Sequence, residues 1–207
     1  MKRKRQRLVS ACLILMLSAW GCLHLGADTA ADIQKGMEFH ARAETDPEGN
    51  IQKGKEILLP LIGTEPLAKG YYGSLVTLEA GVHEKNGNVI KAMSALNEGC
   101  RLLDEAVSED AQSTDLRFLR MINSYELSCK SPANRYKIMK EDIGFLMERQ
   151  ESLAAADASL LYLYSGYYLV KARKLEQALE SFARCVELCP ESESAARAKK
   201  ELLKYEE

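Results

Sequence analysis

The C-terminal part of the chain has the clearest pattern of apolar and polar positions. Residues 157–172 are apolar almost all round a helical wheel. Five apolar residues then recur at the spacing of one helical face: Leu175, Ala178, Leu179, Phe182 and Val186. This periodicity predicts an amphipathic helix over 175–189, which Pro190 ends because proline cannot continue a helix. A short break near 173–174 separates the two segments, so the pattern predicts a helical hairpin.

The spacing of this hairpin recurs upstream. Four sets of positions are separated by 4, 3 and 5 residues: Gly54, Leu58, Leu61 and Pro66; Ala92, Leu96, Gly99 and Asp104; Met139, Ile143, Leu146 and Glu151; Ala178, Phe182, Cys185 and Pro190. One helix pair cannot bury its apolar face alone, whereas stacked pairs share a continuous core. We therefore predict an all-α domain over 28–207. Its four helix pairs are expected at 28–66, 67–108, 113–151 and 157–190, followed by a cap helix at 191–205.

The last helix pair resembles a tetratricopeptide repeat (TPR). The small, small, aromatic and proline positions of that family are occupied by Gly166, Ala178, Phe182 and Pro190, and Tyr162 stands in for the family's tryptophan. The departures from the family pattern are Ser165, Leu169 and Cys185. The other pairs keep the spacing more than the residue types, and the third has an overlong connection. Gly166 and Ala178 are expected to let their helices approach closely, and Phe182 is expected to fill the gap to the next unit.

The resemblance implies a right-handed superhelical stack in which the first helix of each pair lines a concave groove. The groove positions carried over are Thr77, Arg117, Arg120, Ser124, Leu160, Leu163, Tyr167, Val170 and Lys171. Tyrosine and arginine are enriched at binding hot spots. We therefore expect Tyr167 and Leu163 to supply apolar contact, and the two arginines to pair with carboxylates of a partner. The alternative is that neighbouring helices cover segment 157–172, since a helix that is apolar all round is commonly buried.

The first 27 residues predict export. Five basic residues precede an uncharged, mostly apolar run over 8–20, which is the pattern of a bacterial signal peptide. Two cleavage hypotheses remain open. Gly21 and Cys22 form a loose lipobox, in which the Cys22 sulfur takes a diacylglycerol; alternatively, signal peptidase cuts after Ala27. A retained membrane anchor is disfavoured, because a span needs about 20 predominantly apolar residues. Either cleavage places the protein in the periplasm or cell envelope, as a membrane-tethered lipoprotein in the first case.

Removal of the signal makes the chain acidic. All 30 acidic residues lie at or after Asp28, whereas five of the 28 basic residues precede it. This leaves 23 basic against 30 acidic residues and a net charge of −7. Nucleic-acid binding depends on grouped lysines and arginines that neutralise phosphates. The sequence therefore predicts a protein that does not bind nucleic acid.

The positions of the cysteines favour buried thiols over a zinc site or a disulfide. Cys185 and Cys189 are four residues apart and project to one helical face. A closed zinc site needs four ligands, which these two cysteines do not supply. We expect packed thiols at a helix end. We also predict no disulfide between Cys100 and Cys129, because antiparallel helices would hold them about 12 Å apart at 1.5 Å per residue, beyond the ~7 Å limit for a bridge.

Catalytic signatures are lacking in the sequence. It contains no HExxH, GxSxG, P-loop or GxGxxG motif. Glu141 and Asp142 form a carboxylate pair that we expect on a solvated face. We therefore expect a non-enzymatic scaffold without cofactor or metal, which binds a peptide or partner protein in its groove. The alternative is an accessory subunit of a solute transport system with a pocket for a small apolar ligand.

Overall fold

The computed structural model describes residues 28–43, 45–130 and 133–205. This part of the chain is helical and contains no strand, which confirms the predicted all-α class for it. The first helix, α1, covers 28–43. The helices that follow are α2 (Asn50–Leu58), α3 (Pro66–Lys85), α4 (Val89–Glu109), α5 (Thr114–Lys130), α6 (Tyr136–Met147), α7 (Ala155–Lys171), α8 (Leu175–Leu188) and α9 (Glu193–Leu203).

Two hairpins turn in the same way. After α3, the backbone N–H groups of Gly87 and Asn88 donate to the carbonyls of Glu84 and His83. After α7, those of Arg173 and Lys174 donate to the carbonyls of Val170 and Leu169. The pivot residues Gly87 and Arg173 have φ of 75° and 59°. Both turns are therefore Schellman caps, in which a left-handed residue reverses the chain after the helix.

Local signals set other helix ends. Ser192 caps α9, because its Oγ accepts a hydrogen bond of 3.0 Å from the backbone N–H of Ala195. Pro66 begins α3, where its missing N–H costs no helical hydrogen bond. The helix predicted over 175–189 ends one residue earlier, at Leu188.

The described helices belong to two compact units, one reaching to Gly99 and the other starting at Cys100, so that the division falls within α4. In the first unit, α2 packs against α3. Its buried apolar cluster consists of Ala43, Ile51, Leu58, Ala68 and Leu75. Gly99 of α4 faces Thr77 and the carbonyl oxygen of Gly73, and a Cβ there would lie 2.6 Å from that oxygen. This glycine therefore allows α3 and α4 to approach closely.

The second unit has the larger buried cluster. In it α7 packs against α6, α8 and α9, and α5 packs against α6 and α7. The cluster consists of Met121, Met139, Ile143, Leu146, Leu161, Leu163, Tyr164, Ala178, Phe182, Cys185 and Ala198. A Cβ on Gly166 would collide with the Phe182 ring. Phe182 therefore packs inside its own helix pair, against Gly166 of α7, and belongs to a cluster that also includes residues of α6 and α9.

The cysteines that are described are free thiols. Cys185 is fully buried, and the Ser159 hydroxyl donates to its backbone carbonyl at 2.9 Å. Cys189 follows the last residue of α8 and is partly exposed. The prediction of a packed thiol at a helix end is therefore confirmed for Cys185. Among all the residues that the structure describes, no group of three His, Cys, Asp or Glu side chains is arranged to hold a metal ion.

The described helices were also compared with the requirements of a membrane span. None of them is both long enough and apolar enough to cross a bilayer. The predicted export signal and Cys22 lie outside the described residues.

Candidate functional site

The predicted groove residues of α7 divide into buried and open positions. Leu163 is fully buried in the core of the second unit. Leu160, Tyr167 and Val170 keep part of their surface in solvent, and Lys171 is exposed. Leu160, Tyr167 and Lys171 are spaced by seven and four residues, so they lie along one side of the helix. Leu163 lies between Tyr167 and Val170 on that same side, so this side of α7 is buried at Leu163 and open to solvent only in part at the other predicted positions.

Two tyrosines join α5 and α7 at this surface. The rings of Tyr125 and Tyr167 are stacked, with centroids 4.7 Å apart and planes 11° from parallel. Tyr164 meets both rings edge to face. Ile122 and Phe118 lie three and seven residues before Tyr125, and both are also partly exposed. We call the partly exposed or exposed residues Phe118, Ile122, Tyr125, Leu160, Tyr167 and Lys171 the tyrosine face.

Helix α9 supplies a cation to the tyrosines. The Arg197 guanidinium lies 5.6 Å from the ring centroids of both Tyr164 and Tyr167, within the range of a cation–π interaction. Burial raises the pKa of Tyr164 to about 12, although Arg197 opposes that shift. Burial likewise raises the pKa of Tyr167. Both phenols therefore stay neutral near pH 7. Tyr164 is buried, so of these two only Tyr167 is partly open to solvent.

The predicted groove residues of α5 face the interior of the second unit. Arg117 and Arg120 both bond Asp142 of α6, which is fully buried. Ser124 is also fully buried, and its Oγ accepts a 3.4 Å hydrogen bond from Nε of Arg135. The sequence predicts that these three side chains line an open groove, whereas the structure buries Arg120 and Ser124 and leaves Arg117 only partly exposed. Hydrogen bonds to Asp142 of α6 and to Arg135, which precedes that helix, turn this side of α5 inward. Tyr125 lies roughly 100° around α5 from Ser124, on an adjacent side.

The network around Asp142 is a set of charge-assisted hydrogen bonds. Oδ1 of Asp142 accepts from Nη1 of Arg117 at 3.0 Å and from Nη2 of Arg120 at 2.6 Å. Oδ2 accepts from Nε of Arg120 at 2.9 Å. Burial acts to lower the pKa of Arg120, but the hydrogen bonds and charges of Asp142 and Asp104 outweigh it and raise the pKa. Asp142, expected on a solvated face, is instead the buried centre of this network.

Asp104 of α4 extends the network towards solvent. Its carboxylate is 39% exposed and accepts from Arg120 at 3.2 Å and from Arg135 at 2.7 Å. Three guanidinium groups thus share two carboxylates in the second unit. Arg117 and Arg120 are therefore already paired with carboxylates of the chain itself, and only Nε of Arg117 is buried in this network without a hydrogen-bond partner.

The predicted groove residue Thr77 lies in the first unit. It is buried, and its hydroxyl donates to the Ser74 carbonyl at 2.7 Å. An open cleft of about 330 Å³ lies elsewhere in that unit. Its lining residues are Lys55, Tyr72, Val76, Glu79, His83, Lys91, Ser94, Ala95 and Glu98. Lys55 and Glu79 form a 2.6 Å ion pair there, so part of the charge in the cleft is neutralised internally.

Sequence reasoning missed Tyr125, Arg197 and the burial of Asp142. One signal was available for Asp142, which shares a helical face with Met139, Ile143 and Leu146. Comparison of the chain with known protein families, characterised proteins and solved structures finds no match in any of the three. The tyrosine face is therefore interpreted from its own geometry.

Proposed function

We propose that the protein is a non-enzymatic scaffold of the bacterial cell envelope that holds a peptide or partner protein on the tyrosine face. The observation that carries the proposal is the stack of Tyr125 on Tyr167, partly open to solvent and placed beside Arg197. Tyrosine and arginine are the residue types that dominate binding energy at protein interfaces. Each stacked ring restrains the other, so these two tyrosines lose little side-chain entropy when a partner binds.

The proposed contacts differ from those implied by the sequence. Lys171 is exposed and sits 5.3 Å from the Tyr136 ring centroid, so it supplies a positive edge to the face. Arg117 and Arg120 are not assigned to the contact, because Asp142 already pairs with both. We propose that a partner segment places apolar side chains against Ile122 and Tyr167, with a carboxylate near Lys171.

We also propose that the helix pairs are divergent tetratricopeptide repeats in a right-handed stack. The support is local. The pairs α3–α4 and α7–α8 end their first helix with the same Schellman turn, and Gly166 packs on Phe182 inside the last pair. Within the second unit, α5 contacts α7 and α7 contacts α9. These contacts between alternate helices are those that stacked helix pairs make.

The partner-binding proposal is tested by affinity capture from the envelope fraction of a bacterial host. The variant combines Ile122→Ser with Lys171→Glu, and the matched control is Lys174→Glu, which makes the same charge change at another exposed lysine of the same unit. We expect one protein to be recovered with the wild type and the control, and lost with the variant. Equal recovery with variant and control refutes the assignment of the face. Recovery of a small apolar molecule instead would favour the transport-subunit hypothesis.

The envelope location has a separate test, the intact mass of the protein purified from a bacterial membrane fraction. A mass that begins at Cys22 and includes a diacylglycerol supports the tethered lipoprotein. A mass that begins at Asp28 supports a soluble periplasmic or secreted protein. An uncleaved chain would contradict both cleavage hypotheses.

A further inference from the structure

The open cleft of the first unit is lined by residues of α2, α3 and α4. Its volume of about 330 Å³ lies within the range of small-molecule sites. Two lysines and two glutamates face it: Lys55, Lys91, Glu79 and Glu98. Their formal charges balance, so these four side chains give the cleft no excess of charge that would select a simple anion or a simple cation. The arrangement favours a ligand that carries a positive and a negative group at once.

The packing of α4 on α3 orders these charges along the cleft. A Cβ on Gly99 would lie 2.9 Å from the backbone nitrogen of Thr77. Continuing this antiparallel register towards the turn places Lys91 beside His83. Glu79 lies four residues before His83, which is about 6 Å along the helix axis at 1.5 Å per residue. The end of the cleft nearest the turn therefore carries a lysine and a histidine, and a carboxylate lies about one helical turn further in.

Both of these positions keep a charged group for a ligand. Oε2 of Glu79 accepts from Nζ of Lys55 at 2.6 Å, while Oε1 accepts no hydrogen bond from the residues that the structure describes. The Lys55 and Glu79 side chains are only 19% and 29% exposed, so their ion pair holds the Glu79 carboxylate in place. Lys91 is exposed and forms no ion pair within the described part of the chain. The cleft can therefore accept an ammonium group at Glu79 and a carboxylate at Lys91.

The spacing of these two groups sets the length of the ligand. The ammonium and carboxylate of a free amino acid are attached to the same carbon atom, so one amino acid is too short to meet both. An extended peptide advances by at most about 3.3–3.6 Å per residue, so two residues cover a step of about 6 Å. Glu98 lies about 10 Å from Lys91 along α4 at 1.5 Å per residue, and a third residue would bring the ammonium group towards it.

We propose that this cleft binds a short peptide of two or three residues with both termini free. The peptide's ammonium group donates to Oε1 of Glu79, and its carboxylate accepts from Nζ of Lys91 beside His83. Recognition is through the termini, so the side chains of the peptide are not specified. The proposal does not rest on the tyrosine face, which belongs to the other unit, and so the two proposals fail separately.

The test is an NMR titration of the purified protein. Backbone amide shifts in α3 and α4 report occupancy of the cleft, and their dependence on ligand concentration gives Kd. The probes are dialanine and trialanine with free termini. N-acetyltrialanine and trialanine amide each lack one terminal charge, and free alanine tests the length. The variant is Lys91→Gln. The matched control is Lys85→Gln, which makes the same change at an exposed lysine of the same hairpin outside the cleft.

We expect dialanine or trialanine to shift these amides in a saturable way. Each blocked peptide should bind at least about fivefold more weakly, because it loses one exposed charge pair. Lys91→Gln should weaken trialanine by about fivefold and leave trialanine amide unchanged, whereas Lys85→Gln should change neither. The proposal is overturned if neither free peptide binds, if the blocked peptides or alanine bind equally well, or if the shifts lie in the second unit. It is also overturned if Lys85→Gln has the same effect as Lys91→Gln.

Discussion

Replacing Asp142 by asparagine should strongly destabilise the second unit. Asp142 is fully buried and accepts three hydrogen bonds from the guanidinium groups of Arg117 and Arg120. The substitution keeps the shape of the side chain but removes its negative charge. Arg120 keeps Asp104 as a partner, whereas Arg117 loses its only carboxylate among the described ion pairs. Breaking a buried ion pair by removing one partner costs about 3–5 kcal/mol. Because the asparagine oxygen still accepts a hydrogen bond, we expect about 3 kcal/mol.

The free energy of unfolding is measured by urea titration followed by circular dichroism. Amide hydrogen exchange in α5 and α6 then assigns the loss to the second unit, since two compact units need not unfold together. The control is Glu187→Gln in the same unit. The ion pair of Glu187 with Arg184 is exposed on both sides, at 64% and 53%, and pairs of this kind contribute up to about 1 kcal/mol.

A second variant separates loss of charge from loss of packing. Replacing Arg117 and Arg120 by methionine and Asp142 by leucine removes all three charges together. If unpaired charge causes the loss, this variant should recover most of the stability. The reasoning is refuted if Asp142→Asn costs no more than Glu187→Gln, or if the apolar triple variant is no more stable than Asp142→Asn.

Three further predictions concern single residues. Burial lowers the pKa of His40 to about 4 from its ordinary value of 6.5. Because the unfolded histidine takes up a proton in this range and the folded one does not, the free energy of unfolding should fall by about 3 kcal/mol as the pH falls from 6.5 to 4. Denaturation of His40→Gln should not show this loss. Gly166→Ala should cost about 1–3 kcal/mol by overpacking against the Phe182 ring, and adding Phe182→Leu should recover part of it in a double-mutant cycle. Alkylation followed by mass spectrometry should modify the exposed Cys129 well before Cys185, whose thiol pKa is raised by burial; equal rates would contradict the packing described.

The helix pairs were predictable because their signals are local. The helix over 175–189 was predicted from the periodic spacing of its apolar residues alone, which is a local property of the sequence. The helices α7 and α8 have boundaries close to those expected. The Schellman turn at Arg173 was less predictable, because its left-handed residue is not glycine. A break in the apolar pattern indicated where the chain turns, but not the conformation of the turn.

The orientation of α5 was not predictable from its own residues. Arg117 and Arg120 are placed by Asp142, which lies 25 and 22 residues away along the chain. Nothing in the local sequence distinguishes an arginine that awaits a partner's carboxylate from one already paired inside the fold. The positions carried over from the resemblance therefore named one side of α5, whereas the stack on Tyr167 brings Tyr125, on an adjacent side, into the tyrosine face.

The central claim is that the tyrosine face holds a partner, and site-specific photo-cross-linking in living bacteria tests it most directly. A photoreactive residue replaces Lys171 on the face or, as the control, Lys174 beyond the end of α7; both lysines are exposed. The account predicts a discrete adduct with one protein from position 171, absent from position 174 and lost when Ile122→Ser is added. The same adducts from both positions, or an adduct that persists with Ile122→Ser, would contradict it.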